Sequence, residues 1–288
     1  MPNKLYLECY SGISGDMTVA ALLDLGADQQ VLLEGLESLN LPGYQLKIGR
    51  VKKNGIDACD FDVILDEPEH HHDHDHEHDH DHDHEHDHDH DHEHHHHEHD
   101  HEHEHHHDHE HHHHHDHVHR NIGDIFAIID QSKISDRAKQ TAKDIFRIIA
   151  AAESKAHGIA EDQVHFHEVG AVDSIVDIVS AAICLDNLDI TEAVVSDLYE
   201  GCGYVHCQHG LMPVPVPAVV NIAADNALRL RLTQTRGEMI TPTGAAIAAY
   251  LSKGGKLPES FVIEKIGLGA GKKDFATANI LRAFLIRD

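Results

Sequence analysis

One stretch of the chain consists almost entirely of metal-binding side chains and acids. Residues 70–119 hold 31 histidines, 18 aspartates or glutamates and a single apolar residue, Val118. Near neutral pH most of these imidazoles are uncharged and can ligate nickel, zinc or copper. With almost nothing to bury, the segment is predicted to be disordered. Its internal position and length argue against an expression tag, and we interpret it as a metal-binding, histidine-rich insertion, His70 to His119; low complexity without function is the alternative.

The densest group of potential ligands outside this insertion lies within residues 164–177. Two histidines separated by one residue would face the same side of an extended segment. Two aspartates four residues apart would share one face of the helix predicted to follow. This group indicates a metal or acid–base site, with a solvated helix face as the alternative. Its members are His165, His167, Glu168, Asp173 and Asp177, and Ser180 and Cys184 continue the same helix stripe.

A second group of potential ligands lies between Cys202 and Gly210. Its spacing matches none of the standard zinc signatures, which pair cysteines or histidines at fixed intervals. We interpret Cys202 and Cys207 as structural. His209 precedes a rigid proline-rich segment, residues 213–217, and is the better candidate for a metal ligand.

Three segments of small residues are candidates for binding an anion. Residues 11–16 and 241–245 each precede a predicted helix, whose first N–H groups suit phosphate. Residues 267–274 resemble a nucleotide-binding loop but lack the Walker spacing and precede a strand. A plain turn is the alternative for each segment alone, but together they indicate a ligand that carries phosphate. The candidate phosphate-binding residues are Ser14, Gly15, Thr241, Thr243, Gly244, Gly269, Gly271 and Lys272.

Hydrophobic periodicity predicts an α+β fold with mixed sheets and packed helices. We divide the chain into a β-α-α-β-β part at residues 1–69, the disordered insertion at 70–119 and the main α+β body, with the candidate site, at 120–288. Ser14 is predicted to be an N-cap, residues 53–55 a hairpin turn and Gly158 a C-cap. The predicted helices cover residues 17–25, 30–39, 121–130, 136–157, 171–188, 217–227 and 243–253. The predicted strands cover residues 5–9, 44–51, 56–65, 261–266 and 280–286, with short strands and turns over 193–216.

Charge and composition exclude several classes of protein. The 288 residues include 22 basic and 51 acidic side chains, a formal charge of −29, and the chain stays acidic when the insertion is removed. Nucleic-acid binding is therefore not expected. Apolar runs are too short for a membrane span, and the N-terminus lacks the pattern of a secretory signal. The five cysteines are scattered and odd in number, so we expect a cytoplasmic protein with reduced thiols.

The motifs, taken in order, resemble those of the LarC nickel-insertion family. The resemblance is carried by residues 11–17, 165–177, 209–215, 241–246 and 267–282. It implies a nickel chelatase, a lyase-type enzyme that inserts Ni²⁺ into pyridinium-3,5-bisthiocarboxylic acid mononucleotide with CTP and Mg²⁺. The product is the nickel pincer cofactor of lactate racemase. The competing hypotheses are a non-catalytic nickel store or metallochaperone and a zinc-dependent hydrolase.

We assign expected roles to individual residues from the motifs themselves, in keeping with the resemblance. Asp16, Glu168 and Asp173 are the catalytic candidates, and His165, His167, Asp177 and His209 are, with the histidine-rich insertion, the candidate nickel ligands. Members of the family continue well beyond the motif at residues 279–282, in a part implied to bind CTP. We therefore expect this chain to be the N-terminal half of a split protein that works with a C-terminal insertase subunit. A homo-oligomer and contact with the lactate racemase apoprotein are further expectations.

Overall fold

The computed structural model describes residues 3–66, 120–164, 172–207 and 209–287. The histidine-rich insertion and three candidate ligands, His165, His167 and Glu168, lie outside these residues. The helices are α1 (Gly15–Leu25), α2 (Gln29–Glu37), α3 (Ile122–Gln131), α4 (Asp136–His157), α5 (Val172–Asn187), α6 (Pro217–Asp225) and α7 (Pro242–Leu251). The strands are β1 (Asn3–Glu8), β2 (Tyr44–Lys53), β3 (Ile56–Leu65), β4 (Ile190–Val195), β5 (Leu198–Cys202), β6 (Tyr204–Cys207), β7 (Gly210–Pro213), β8 (Leu230–Arg236), β9 (Val262–Ala270) and β10 (Ile280–Arg287).

Six of these strands form a mixed sheet in the order β2-β3-β9-β10-β1-β4. Neighbours in the sheet are antiparallel except for the pairs β3–β9 and β1–β4, which are parallel. Two smaller pairs, β5–β8 and β6–β7, lie apart from this sheet. Helices packed on a mixed sheet confirm the predicted α+β fold. A helix with the length and apolar character of a membrane span is not found in the described part of the chain.

Helix α1 lies directly on strand β9 because two glycines of that strand leave room for its backbone. A Cβ on Gly269 would overlap the carbonyl oxygen of Met17, and one on Gly267 would overlap that of Ala21. This close packing corrects one prediction. Residues 267–270 belong to a strand that runs to Ala270, and not to a nucleotide-type loop.

Helix α5 is enclosed by its neighbours. It contacts α1, α2, α4, α7 and strand β3, and ten of its 16 residues are buried. Ser180 and Cys184, predicted to continue the stripe of Asp173 and Asp177, are completely buried in the core. The two aspartates lie nearer the N-terminal end of the helix, where the chain enters the packed layer. Any function of the stripe therefore depends on this end.

Candidate functional site

A cavity of about 750 Å³ lies where several helices begin. Of the seven helices in the described part of the chain, α1, α5, α6 and α7 contribute their N-terminal residues to its wall, and α4 contributes its C-terminal turn. Each helix N-terminus carries about half a positive charge, so four such ends favour an anion in the cavity. The side chains have the opposite character. Among the described residues, the ionisable wall residues are Asp16, Asp62, Glu153, Asp173, Asp177, Glu238, His157, His206, His209, Cys207 and Lys272.

The N-termini of α1 and α7 are fixed side by side by backbone contacts. Ile13 N–H donates to the carbonyl oxygen of Met239 at 3.0 Å, and Thr241 N–H donates to that of Ile13 at 3.1 Å. Gly244 makes this approach possible, because a Cβ there would overlap the Ile13 carbonyl oxygen and lie 2.8 Å from Ser14 Cα. The Thr241 hydroxyl accepts a hydrogen bond from Gly244 N–H and caps α7. The two predicted anion-binding segments therefore form one wall of the cavity.

A carboxylate of α5 occupies the N-terminus of α1. Asp177 accepts a hydrogen bond from the backbone N–H of Asp16, and Gly15 leaves the space that its carboxylate fills. Ser14 is the N-cap residue, as predicted, but its hydroxyl donates to the Asp16 carboxylate instead of capping a backbone group. The Oδ1 atom of Asp177 is enclosed and accepts no hydrogen bond among the described residues. This oxygen is an acceptor available for a ligand.

Burial and mutual repulsion disturb the titration of these acids. Burial raises the pKa of Asp16, against the hydrogen bond from Ser14. The pKa of Asp177 is raised well above its usual range by burial and then by the charges of Asp16 and Asp173. Both carboxyl groups therefore hold protons more tightly than ordinary aspartates do. A bound cation would reverse this effect and release the proton.

Lys272 brings one basic side chain to the cavity, but aspartates of β3 already bind it. Its ammonium lies 2.8 Å from Asp60 Oδ1 and 3.3 Å from Asp62 Oδ1. Burial lowers the pKa of Lys272, but the hydrogen bonds and charges of the two aspartates outweigh this effect and leave it raised. The lysine therefore offers less positive charge to a phosphate than its sequence position suggests.

Most of the predicted site residues described by the structure line this cavity. They are Ser14, Gly15, Asp16, Asp173, Asp177, His209, Thr241, Thr243 and Lys272. Gly244 lies behind the wall, Gly269 packs on α1, and Gly271 packs against Asn279, so these three glycines have structural surroundings. Among the described residues, no three His, Cys, Asp or Glu side chains stand close enough to form a ready metal site.

Sequence reasoning missed four acidic or imidazole side chains of the wall: Asp62, Glu153, His157 and Glu238. Asp62 lies on β3, Glu153 and His157 lie one turn apart on α4, and Glu238 lies in the segment before α7, so three separate parts of the chain contribute them. Their only local signal is weak, since a histidine in the last turn of a helix is ordinarily explained by the helix dipole. Tertiary packing alone assembles them.

Glu200, also missed, holds the segment that leads into α7. Its side chain is completely buried, and its Oε1 atom accepts hydrogen bonds from three backbone N–H groups. The donors are Gly201 at 2.7 Å, Met239 at 2.7 Å and Ile240 at 3.3 Å. Burial raises the pKa of Glu200, against the effect of these bonds. The residue positions Glu238 and Thr241 without lining the cavity itself.

We expect Glu200→Ala to lower the free energy of unfolding by about 2 kcal/mol, because three buried N–H groups lose their acceptor. Urea unfolding followed by circular dichroism measures this change. Glu200→Gln is the control, since its carbonyl oxygen can still accept, and it should lose less than half as much. Equal stability of Glu200→Ala and the unmodified chain would contradict this positioning role.

Curated relatives with similar sequences carry related names. A protein of Alkaliphilus metalliredigens, named pyridinium-3,5-bisthiocarboxylic acid mononucleotide nickel insertion protein, is 59% identical over 289 residues, covering 100% of this chain and 61% of its own length. The protein of that name from Clostridium acetobutylicum is 45% identical, covering 98% of this chain and 63% of its own. A putative nickel insertion protein of Dictyoglomus thermophilum is 34% identical, with 98% and 60% covered. The chain thus spans about three fifths of the length of these relatives.

No solved structure matches the chain. The sequence profile of the family described as nickel insertion protein matches residues 5–288, which is nearly the whole chain. This match and the relatives confirm the resemblance drawn from the motifs. The chain belongs to the nickel insertion protein family.

Proposed function

We propose that this chain carries the site at which Ni²⁺ is inserted into pyridinium-3,5-bisthiocarboxylic acid mononucleotide. The observation that carries the proposal is the cavity in which four helix N-termini face six carboxylates among the described residues. Helix N-termini suit the phosphate and thiocarboxylates of such a substrate, and carboxylates suit a divalent cation. The names of the relatives support the choice of nickel and of this mononucleotide.

The N-termini of α1 and α7 are proposed to have different roles. The start of α1 is hydrogen-bonded to Asp177, so the phosphate is assigned to the start of α7, where Thr243 lines the cavity. Oxygen and imidazole ligands hold Ni²⁺ less firmly than sulfur does. The metal can therefore pass from the wall to the thiocarboxylates of the substrate.

The acids of α1 and α5 are proposed to handle the proton that leaves the ring carbon. Formation of the nickel–carbon bond requires loss of the carbon-bound hydrogen as a proton, and the raised pKa of Asp16 makes its carboxylate a stronger base than that of an ordinary aspartate. Asp16 and Asp173 line the cavity beside Asp177, which we assign as a nickel ligand. Glu168 and the histidines at 165 and 167 remain candidates outside the described residues.

The wider reaction is also a proposal. We infer that insertion depends on CTP and Mg²⁺, that the product is the nickel pincer cofactor of lactate racemase, and that the rest of the relatives' length contributes the CTP site. The test combines this chain, the mononucleotide, Ni²⁺ and Mg–CTP, with and without a protein supplying that remaining part, and detects product by mass. Nickel-bearing product in either mixture supports insertion. Its absence from both mixtures, with nickel bound to the chain, would instead support storage.

Storage of nickel is the second candidate function, and the composition of the histidine-rich insertion favours it. Thirty-one imidazoles in 50 residues can bind nickel without any folded site. A nickel-storage protein needs no cavity that combines helix N-termini with acids. We therefore prefer nickel insertion into the mononucleotide as the function. Substitutions in the cavity separate the two functions, because they leave the histidine-rich insertion, residues 70–119, unchanged.

We expect deletion of residues 70–119 to leave the fold intact and to reduce product formation only when nickel is scarce. This expectation follows if the histidine-rich insertion supplies nickel ions and the cavity carries out the reaction with the mononucleotide. Product formed over a series of free nickel concentrations, buffered with a chelator, measures this effect. Activity equal to that of the complete chain at every nickel concentration would contradict a delivery role.

A further inference from the structure

All three histidines in the described part of the chain line the same cavity. They are His157 at the end of α4, His206 on β6 and His209 in the turn between β6 and β7. Each of them is exposed at the cavity wall. Convergence of imidazoles from separate elements on one cavity is the arrangement by which proteins bind transition metals.

Two of these histidines stand at the separation that one metal ion requires. The ring centres of His157 and His209 are 4.9 Å apart, and their planes are tilted by 44°. Two imidazoles that ligate one ion at about 2.1 Å hold their ring centres roughly 4.5–5.3 Å apart, for ligand angles of roughly 90–110°. The observed separation lies within that range, and the tilt differs from the parallel arrangement of stacked rings.

A carboxylate supports one ring of the pair. Glu153, one turn earlier in α4, places its Oε2 atom 3.5 Å from Nε2 of His157. Histidines that bind metals commonly direct one ring nitrogen to a carboxylate and the other to the ion. The negative charge of Glu153 also favours a cation at this place.

We propose that His157 and His209 form a two-imidazole site that holds a divalent ion of the nickel type in the cavity before it reaches the substrate. The naming of nickel rests on the proposed function. The pair belongs to the α4 side of the wall, whereas Asp16, Asp173 and Asp177 belong to α1 and α5. One group of side chains in the cavity then receives the metal first, and another, which includes the proposed nickel ligand Asp177, lies where the metal meets the substrate.

The test measures the reactivity of individual histidines in the full chain. Diethyl pyrocarbonate modifies free imidazoles, and peptide mass spectrometry reports the rate at each position. The experiment uses nickel chloride alone, in excess over the 36 histidines of the chain, so that the insertion is saturated. Because only the unoccupied pair reacts, free nickel at about ten times the dissociation constant should slow modification of His157 and His209 roughly tenfold. His206 is not a ligand in this proposal, so its rate of modification should change by less than about twofold at the same nickel concentration.

Substitutions show whether the two histidines share one ion. In His157→Ala nickel should no longer protect His209, and in the matched control His206→Ala it should protect both members of the pair. Circular dichroism checks that the variants fold. We expect them to fold because the substituted side chains are exposed. Protection of His209 that persists in His157→Ala, or equal protection of all three histidines, would overturn the proposal. The measurement needs no product, so its failure is distinguishable from failure of the insertion reaction.

Discussion

Asp177→Asn is expected to lower the rate of nickel insertion at least about 100-fold, the scale of a lost acid–base or charged group in a catalytic site. The asparagine carbonyl can still accept the hydrogen bond from Asp16 N–H, so α1 keeps its start. The substitution removes the negative charge and the enclosed acceptor that Oδ1 offers to a cation. Initial rates of product formation at saturating nickel and mononucleotide, with Mg–CTP and the protein that supplies the remaining part of the relatives' length, measure the effect.

The matched control is Asp136→Asn, which changes an exposed aspartate in the first turn of α4 that does not line the cavity. It should retain the rate of the unmodified chain. A similar loss of activity in both variants, or full activity of Asp177→Asn, would remove Asp177 from the reaction.

Asp177→Asn is also expected to be more stable to unfolding than the unmodified chain, by an amount that grows as the pH rises. The raised pKa of Asp177 means that the native state binds this proton more tightly than the unfolded state does. The contribution of this tighter proton binding to stability is complete below about pH 3.9, the pKa of the group in the unfolded chain. It is lost as the pH rises through the raised pKa of the native state. Urea unfolding from pH 4 to pH 8 should therefore show a growing stability advantage for Asp177→Asn, and a constant difference would contradict the raised pKa.

Gly244→Ala is expected to lower the free energy of unfolding by about 3 kcal/mol, the upper part of the range for overpacking in a dense core. A Cβ at this position overlaps the backbone of Ile13, so the N-termini of α1 and α7 must separate. Because both helix N-termini line the cavity, the rate of nickel insertion should also fall. Urea unfolding and the product assay measure the two effects.

Gly49→Ala is the control for Gly244→Ala, since no atom lies within 4 Å of a Cβ at Gly49, an exposed position of strand β2. It should change stability by less than about 0.5 kcal/mol, as ordinary surface substitutions do. If Gly244→Ala is equally harmless, the two helix N-termini are not held as closely as described.

Local signals in the sequence predicted much of the fold. Helix α4 begins at Asp136 after the Ser135 cap and ends at His157 before Gly158, whose φ of 66° lies in the left-handed region that favours glycine. The β2–β3 hairpin turns at Asn54 and Gly55, both with positive φ. Such caps and turns are determined by neighbouring residues, so they can be predicted without knowledge of the tertiary structure.

The elements that were missed depend on distant contacts. Among the described residues, strand β8 pairs only with β5 and has no fully buried residue, so its sequence shows no clear apolar face. Strand β9 extends through glycines that ordinarily indicate a loop, because α1 packs on them. The candidate site follows the same rule. Its motif residues were found from their spacing, whereas Glu153 and His157 become significant only when α4 is placed beside the cavity.

The charge of the cavity wall has a consequence for the order in which ligands arrive. Lys272, its one Lys or Arg among the described residues, is already ion-paired, and the wall stays negative even with about half a charge from each of four helix N-termini. An anionic mononucleotide is repelled until a divalent cation has neutralised part of that charge. The proposed reaction is therefore sequential, with metal first, and the apparent affinity for the mononucleotide depends on nickel occupancy most strongly at low ionic strength.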